Sequence, residues 1–156
     1  MRTRIVTSIC LLVLVLAVSI WAQKGNAPAA PMISAAEVQA LEAKQPSDKN
    51  TTGQQMLKLG PYAINMEHRV MGQAAAIHEK EAELFYVIDG SGTIVTGGKL
   101  VDEKRVNEAN LTGSSVQGGV SKKISKGDWV LVPENVPHQI PNVDHQITVM
   151  SLHLPR

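Results

Sequence analysis

The residues of this chain best suited to chemistry are histidines and carboxylates in two short segments. The first segment contains His78 and Glu83, and the second contains His138. Imidazole nitrogens and carboxylate oxygens are ligands that suit Fe(II), Mn(II), Zn(II) or Ni(II). The sequence has no Gly-rich phosphate loop, no serine-nucleophile motif and no paired-cysteine metal motif. Chemistry centred on a metal ion is therefore the kind to examine first.

The spacing within the first segment constrains its local structure. His78 and Glu83 are five positions apart, which would place their side chains on opposite faces of a regular strand. The four residues between them, Glu-Lys-Glu-Ala, are mostly charged. We therefore expect an exposed turn or bulge at 79–82.

Short strands, separated by Gly, Pro, Asn and Asp, account for most of the sequence after residue 53. The strand candidates are 55–59, 62–71, 84–88, 92–96, 129–132 and 147–154. Several short strands with turn signals between them predict an all-β sandwich or barrel. No helical periodicity is visible after residue 45.

Two of these strands, 84–88 and 129–132, are apolar at consecutive positions, so both of their faces must be covered. In the first strand, Leu84, Tyr86 and Ile88 alternate with Glu83, Phe85 and Val87. One set must face outwards, and such an apolar strip is commonly buried against a partner subunit. A homodimer is one expectation. Cover by the N-terminal helix is the other.

The first 53 residues divide into a signal peptide at 1–22 and a leader with a helix at 23–53. Arg2 and Arg4 precede an apolar run that ends near Ala22, which is the order of a secretory signal peptide. An uncleaved membrane anchor is the alternative. Ser34 and Glu37 have the spacing of a capping box and predict a helix that begins there and runs to about residue 44.

Removal of the signal peptide would leave one domain, 54–156, preceded by the leader, in the periplasm or outside the cell. Cys10 is the only cysteine, so the exported protein would have no disulfide and would depend on a packed core. Without Arg2 and Arg4 the formal net charge is −1, and no basic patch stands out. Nucleic-acid binding is a poor interpretation, and no membrane contact is expected beyond the signal sequence.

The two segments resemble the two conserved motifs of the cupin superfamily. ELFYVIDGSG resembles the second half of the first motif, G(X)5HXH(X)3-4E(X)6G, because six residues separate Glu83 from Gly90. GDWVLVPENVPHQIPN resembles the second motif, G(X)5PXG(X)2H(X)3N. The residues of the second motif that fall in register are Gly127, Pro133, His138 and Asn142. Asn135 stands at the usual glycine, and asparagine also tolerates a left-handed backbone.

The resemblance implies a single jelly-roll (double-stranded β-helix) barrel with a short N-terminal helix outside it. It also implies that His78, Glu83 and His138 bind one divalent metal ion, which could be Fe, Mn, Zn or Ni. The first histidine of the first motif falls on Ala76, so one of the usual four ligands is missing. In a second register His78 would be the first histidine, with Lys80 at the other position, but Glu83 would then be too close.

Other polar residues are secondary candidates for the site. Glu79 could substitute as a ligand, and His68 could supply a nearby nitrogen, although a lone strand histidine is more often half-exposed. His145 and His153 are expected at the surface. The polar stretch 97–126 is interpreted as a solvated hairpin extension, with a substrate lid as the alternative.

Three functions remain open on this basis. The first is a metal-binding cupin that binds or acts on a small organic molecule; as an enzyme it would be of the dioxygenase, isomerase or lyase type. The second is a metal-free module that binds a small ligand. The third is a structural or dimeric protein with no ligand. The fold alone does not choose among them.

Overall fold

The computed structural model describes residues 29–155, which form an all-β fold with one short helix. The predicted signal peptide, 1–22, lies outside the described residues. Within the described part of the chain, no helix is long and apolar enough to cross a membrane. The elements in chain order are α1 (Ala35–Glu42), β1 (Thr51–Leu59), β2 (Tyr62–Arg69), β3 (Ala75–His78), β4 (Glu81–Thr96), β5 (Lys99–Val101), β6 (Lys104–Arg105), β7 (Asn110–Gly113), β8 (Ser115–Gln117), β9 (Val120–Ser125), β10 (Trp129–Val132) and β11 (His138–Pro155).

The helix α1 begins where its capping residues predict. The Ser34 side chain accepts a hydrogen bond from the Glu37 backbone amide at 3.2 Å, and the Glu37 carboxylate accepts one from the Ser34 amide at 2.8 Å. This reciprocal capping box satisfies amide groups that have no partner inside the helix. Residues of α1 line a shallow surface pocket together with Tyr86 and Ile88. The helix therefore lies beside part of the apolar outer face of β4.

Two long strands organise the main sheet. β4 pairs antiparallel with β11 over almost its whole length, and it also pairs with β10 and β9. The β4–β11 register shifts between Gln139 and Asn142 and again between Val143 and Ile147. Such shifts bend strands and increase their twist. The two predicted strands 84–88 and 92–96 are thus two arms of one bent strand.

Gly90 stands at the bend of β4 and has a positive φ of 81°. A Cβ atom at this position would lie 2.1 Å from the backbone oxygen of Gln146 on β11. Only glycine can therefore combine this backbone conformation with such a close approach of the two strands. The glycine that ends the first motif is explained by this contact.

The hydrophobic core fills the inside of the barrel. The inward side of β4 carries Phe85 and Val87, which are 2% and 0% exposed. They belong to a buried cluster to which β9, β10 and β11 also contribute; its other members are Ile94, Ile124, Val132, Ile140, Ile147 and Val149. The prediction that one apolar face of 84–88 lines the interior is confirmed, because Glu83, Phe85 and Val87 are the inward set.

The polar stretch 97–126 is more than the predicted solvated hairpin. Its strands β5 and β8 do form a separate two-stranded sheet, but β7 pairs with β3 and β9 pairs with β4 in the main sheet. Every residue of β9 except Ile124 is exposed. A strand with one face in solvent and a single buried anchor carries little apolar pattern, so the sequence does not reveal it.

Candidate metal centre

Three strands bring one carboxylate and three imidazoles to the same end of the barrel. His78 is the last residue of β3, and Glu83 follows on β4 after a bend at 79–80. The predicted turn between them is therefore present. His138 is the first residue of β11, while His153, near the end of the same strand, pairs directly with Glu83.

Glu83 is the centre of this group. Its Oε2 atom lies 3.0 Å from Nε2 of His138 and 3.2 Å from Nε2 of His78, and its Oε1 atom lies 3.5 Å from Nε2 of His153. Glu83 is only 4% exposed. Three imidazole nitrogens thus face one buried carboxylate.

The opposite nitrogens of two rings are held by fixed acceptors. Nδ1 of His78 lies 2.6 Å from Oδ1 of Asn110, and Nδ1 of His138 lies 3.1 Å from the backbone oxygen of Val136. Because both partners are acceptors, each Nδ1 donates the hydrogen bond. In the neutral ring each Nε2 of these two histidines then has a lone pair for a cation, as in metal-binding histidines supported by an outer contact, whereas in the protonated ring Nε2 donates to Glu83 instead.

The electrostatics keep Glu83 ionised in spite of its burial. Desolvation would raise the pKa of Glu83, but the contacts with His138 and His78 outweigh it and lower that pKa to about 2. For His78, desolvation lowers the pKa, whereas Glu83 and Asn110 raise it, and the net shift is upwards. A carboxylate that stays charged over a wide pH range is a suitable anionic ligand.

The donor atoms of His78, Glu83 and His153 all lie within 4.8 Å of one another, a grouping that could hold a metal ion. The group is buried to half-buried and combines imidazole nitrogen with carboxylate oxygen, the donor types that divalent transition metals prefer. His138 contacts the same carboxylate but does not belong to this compact set. The residues present therefore fit a divalent ion.

The expectation that His153 is a surface residue is wrong. Its side chain is 31% exposed, and it contacts both Glu83 and Glu81, whose Oε1 atom lies 2.8 Å from its Nδ1. The motifs give no signal for this residue, because it lies beyond the second motif. Only the β4–β11 register, which sets it opposite Glu83, brings it to the site.

The other sequence candidates lie outside the group. Glu79 is paired with the exposed Arg105 through two hydrogen bonds, of 2.7 and 3.0 Å. His68 is 2% exposed rather than half-exposed, and its Nδ1 lies 2.9 Å from Oγ1 of Thr148. His145 is exposed, as expected. His68 is also absent from the lining of the cavity beside the group.

A cavity of about 190 Å³ adjoins the His–Glu group formed by His78, Glu83, His138 and His153. Ala76, at the first-histidine position of the motif, lines it and pairs with His138. The cavity is lined by Glu67, Arg69, Gln73, Ala74, Ala76, His78, Glu83, Phe85, Ile94, His138, Gln139, Ile140 and His153. Its size admits a small organic molecule.

Solved structures with the same fold confirm the architecture. A proposed mannose-6-phosphate isomerase of Ralstonia eutropha JMP134 is 18% identical, with a TM-score of 0.53 over 74% of this chain and 95% of that one. An uncharacterised conserved protein with a double-stranded β-helix domain from Klebsiella pneumoniae subsp. pneumoniae MGH 78578 is 15% identical, with a TM-score of 0.53 over 81% and 91%. BH2720 of Bacillus halodurans is 14% identical, with a TM-score of 0.51 over 81% and 83%. At these identities the likeness establishes the fold alone.

Comparison of the sequence with family models identifies the family. The chain matches none of the curated proteins with which it was compared. The family model described as Cupin, however, matches residues 43–153, which is well over half of the chain and includes both motifs and the whole His–Glu group. The chain therefore belongs to the cupin family.

Proposed function

We propose that this protein is an exported cupin that holds one divalent metal ion and binds or acts on a small organic molecule beside it. His78, Glu83 and His153 would hold the ion, and His138 would supply the further donor expected from the second motif. The observation that carries the proposal is the convergence of three Nε2 atoms on the buried Glu83 carboxylate. A bound divalent ion would polarise a ligand oxygen as a Lewis acid.

The chain's own residues would support the ion in defined ways. Asn110 and the Val136 carbonyl orient the rings of His78 and His138, so that both Nε2 atoms face Glu83. Phe85, a member of the buried core, packs near His138, with ring centroids 6.1 Å apart. The polar rings thus lie at the border between the core and the cavity.

A metal-free binding module is the second candidate, and the short contacts of Glu83 favour it. Nε2–Oε2 distances of 3.0 and 3.2 Å are those of charge-assisted hydrogen bonds, so the group can also satisfy itself as a polar cluster. In that case the cavity would bind its ligand without a metal. The two candidates differ in metal content. The metal centre would bind an ion and lose affinity for it when a ligand histidine is removed, whereas the metal-free module would bind no ion with or without that histidine.

Metal binding is the direct test of the leading proposal. Purified mature protein, stripped with chelator and offered Fe(II), Mn(II), Zn(II) or Ni(II), should retain about one ion per chain by elemental analysis. His78→Ala, Glu83→Gln and His153→Ala should each weaken metal affinity by at least about tenfold, because each removes a donor. His145→Ala removes an exposed histidine and is the matched control that should change nothing.

The same series identifies the ligand set. An effect of His138→Ala as large as that of His153→Ala would show that both histidines bind the ion. If His138→Ala weakens metal affinity and His153→Ala does not, the result would favour the set expected from the motifs, which is His78, Glu83 and His138. Absence of bound metal in the parent protein for all four ions would overturn the metal proposal in favour of the metal-free module.

The stability of the metal-free protein should depend on pH through Glu83. The folded-state pKa of Glu83 is about 2, below its ordinary value of 4.5, so its contribution to folding is present above pH 4.5 and lost as the pH falls towards 2. The pKa of His78 is raised, so its contribution is present below its ordinary value of 6.5 and lost as the pH rises through the higher folded value. Stability from this pair is therefore greatest between these two ordinary values.

Glu83→Gln tests this dependence. At pH 5.5 it should lower the free energy of unfolding of the chelator-treated protein by about 2–3 kcal/mol, since one pKa unit corresponds to about 1.4 kcal/mol. The difference from the parent protein should shrink as the pH falls from 4.5 towards 2. Urea unfolding at several pH values measures it, with the exposed Glu108→Gln as control. A difference that stays constant from pH 3 to 5.5 would contradict the assignment.

Export is part of the proposal and rests on the order of charged, apolar and small residues at the N-terminus. The mature chain should begin near Gln23, outside the cytoplasm. N-terminal sequencing of the protein from its native host tests this expectation. Intact Met1 in a soluble cytoplasmic fraction would overturn it.

We also propose a homodimer formed through an apolar outer strip of Leu84, Tyr86, Trp129 and Leu131. Trp129 and Leu131 are 62% and 59% exposed, and β10 pairs with Tyr86 and Leu84 of β4 across the strip. Sedimentation at micromolar concentration should show a dimer that Leu131→Glu dissociates. Val120→Glu changes an equally exposed valine on β9 and should leave the dimer intact. A monomeric parent protein would exclude this interface.

A further inference from the structure

A buried arginine lines the same cavity as the metal-binding histidines. Arg69, at the end of β2, is only 7% exposed. Its Nη2 donates a hydrogen bond to Oε2 of Glu67, and its Nε has no hydrogen-bond partner among residues 29–155. Buried polar groups are nearly always hydrogen-bonded, and an unpaired donor on an arginine that lines a cavity is one that water or a ligand can satisfy. Neither cupin motif includes this residue.

The charges of the cavity indicate the sign of that ligand. With neutral imidazoles, the charged side chains that line it are the carboxylates of Glu67 and Glu83 and the guanidinium of Arg69. Their formal sum is −1. A divalent ion held at Glu83 would change the sum to +1, and a singly charged anion would then restore neutrality inside a buried site. The metal-loaded cavity therefore suits a monoanion.

The shape of the guanidinium and the remaining lining narrow the chemical class. A planar guanidinium fork binds carboxylates and phosphates through paired hydrogen bonds, and of these two the carboxylate is the one that carries a single charge at neutral pH. Ala76, Phe85, Ile94 and Ile140 also line the cavity and would contact an apolar portion of the ligand. The volume of about 190 Å³ limits that portion to a small group.

We infer that Arg69 is the carboxylate-binding residue of this cavity and that the ligand is a small organic acid bound as a monoanion. This inference rests on the proposed metal centre, since the metal supplies the positive charge that the anion balances. Glu67 contacts the guanidinium and competes with the ligand for its donors. The carboxylate would bind through Arg69, and its organic portion would lie among the apolar side chains.

Acetate and acetamide, which are nearly equal in shape and differ in charge, provide the test. Zinc-loaded mature protein should bind acetate saturably in an NMR titration and should bind acetamide at least about tenfold more weakly. Arg69→Gln should weaken acetate binding by at least about tenfold and leave zinc affinity within about twofold. Lys99→Gln removes an exposed positive charge outside the cavity and should change neither affinity.

Glu67→Gln keeps the inference testable if Arg69→Gln does not fold. It removes the carboxylate that holds the guanidinium, so acetate should bind severalfold more tightly to the zinc-loaded variant. Zinc binding without any acetate binding, or acetate binding that neither substitution changes, would overturn the inference and leave the metal centre standing. Failure of the parent protein to bind zinc, manganese, iron or nickel would overturn the metal centre and this inference together.

Discussion

The buried charge of Glu83 is the constraint on which the rest of the site depends. An ionised carboxylate removed from water is stable only if charged or polar groups replace its hydration. In this barrel His78, His138 and His153 do so, and the pKa of Glu83 is lowered to about 2 as a result. Each of these partners must be held within hydrogen-bond distance of one side chain. The strand pairing around β4 meets that requirement.

The path of β11 shows how demanding this requirement is. His138 and His153 are fifteen residues apart on one strand, and a straight strand of that length would separate them by about 50 Å. Both nevertheless contact the Glu83 carboxylate. The register shifts between Gln139 and Ile147 bend β11, and Gly90 permits β4 to bend beside it. The two ends of one strand can meet at one carboxylate only because both long strands turn together.

Much of the fold could be predicted from local features of the sequence. The Ser34 capping box is present, and β10 matches its predicted bounds at 129–132. Asn135, predicted to tolerate a left-handed backbone in the place of the motif glycine, has a φ of 61°. These features depend on a few neighbouring residues and on the chemistry of the backbone. For that reason they can be identified without knowledge of the tertiary structure.

The features that could not be predicted depend on contacts between distant residues. β7 is short and only partly buried, so its sequence carries little pattern, yet its Asn110 orients His78 across the β3–β7 pair. His153 joins the site only through its pairing with Glu83. His68 is buried because both faces of β2 are covered at this end, where His68 and Arg69 are 2% and 7% exposed. A single histidine in a strand pattern does not reveal this.

The replacement of an imidazole by Ala76 changes what the cavity can recognise. Ala76 lies beside His138 in the strand pairing and presents a methyl group to the cavity where the cupin motif has a ligand. His153 approaches Glu83 from the far end of β11 and can supply the missing nitrogen from another direction. The donor count is then maintained while the region around Ala76 becomes apolar. A ligand beside the His–Glu group would therefore have nonpolar atoms next to Ala76, and its charge would be recognised elsewhere in the cavity, where Arg69 lies.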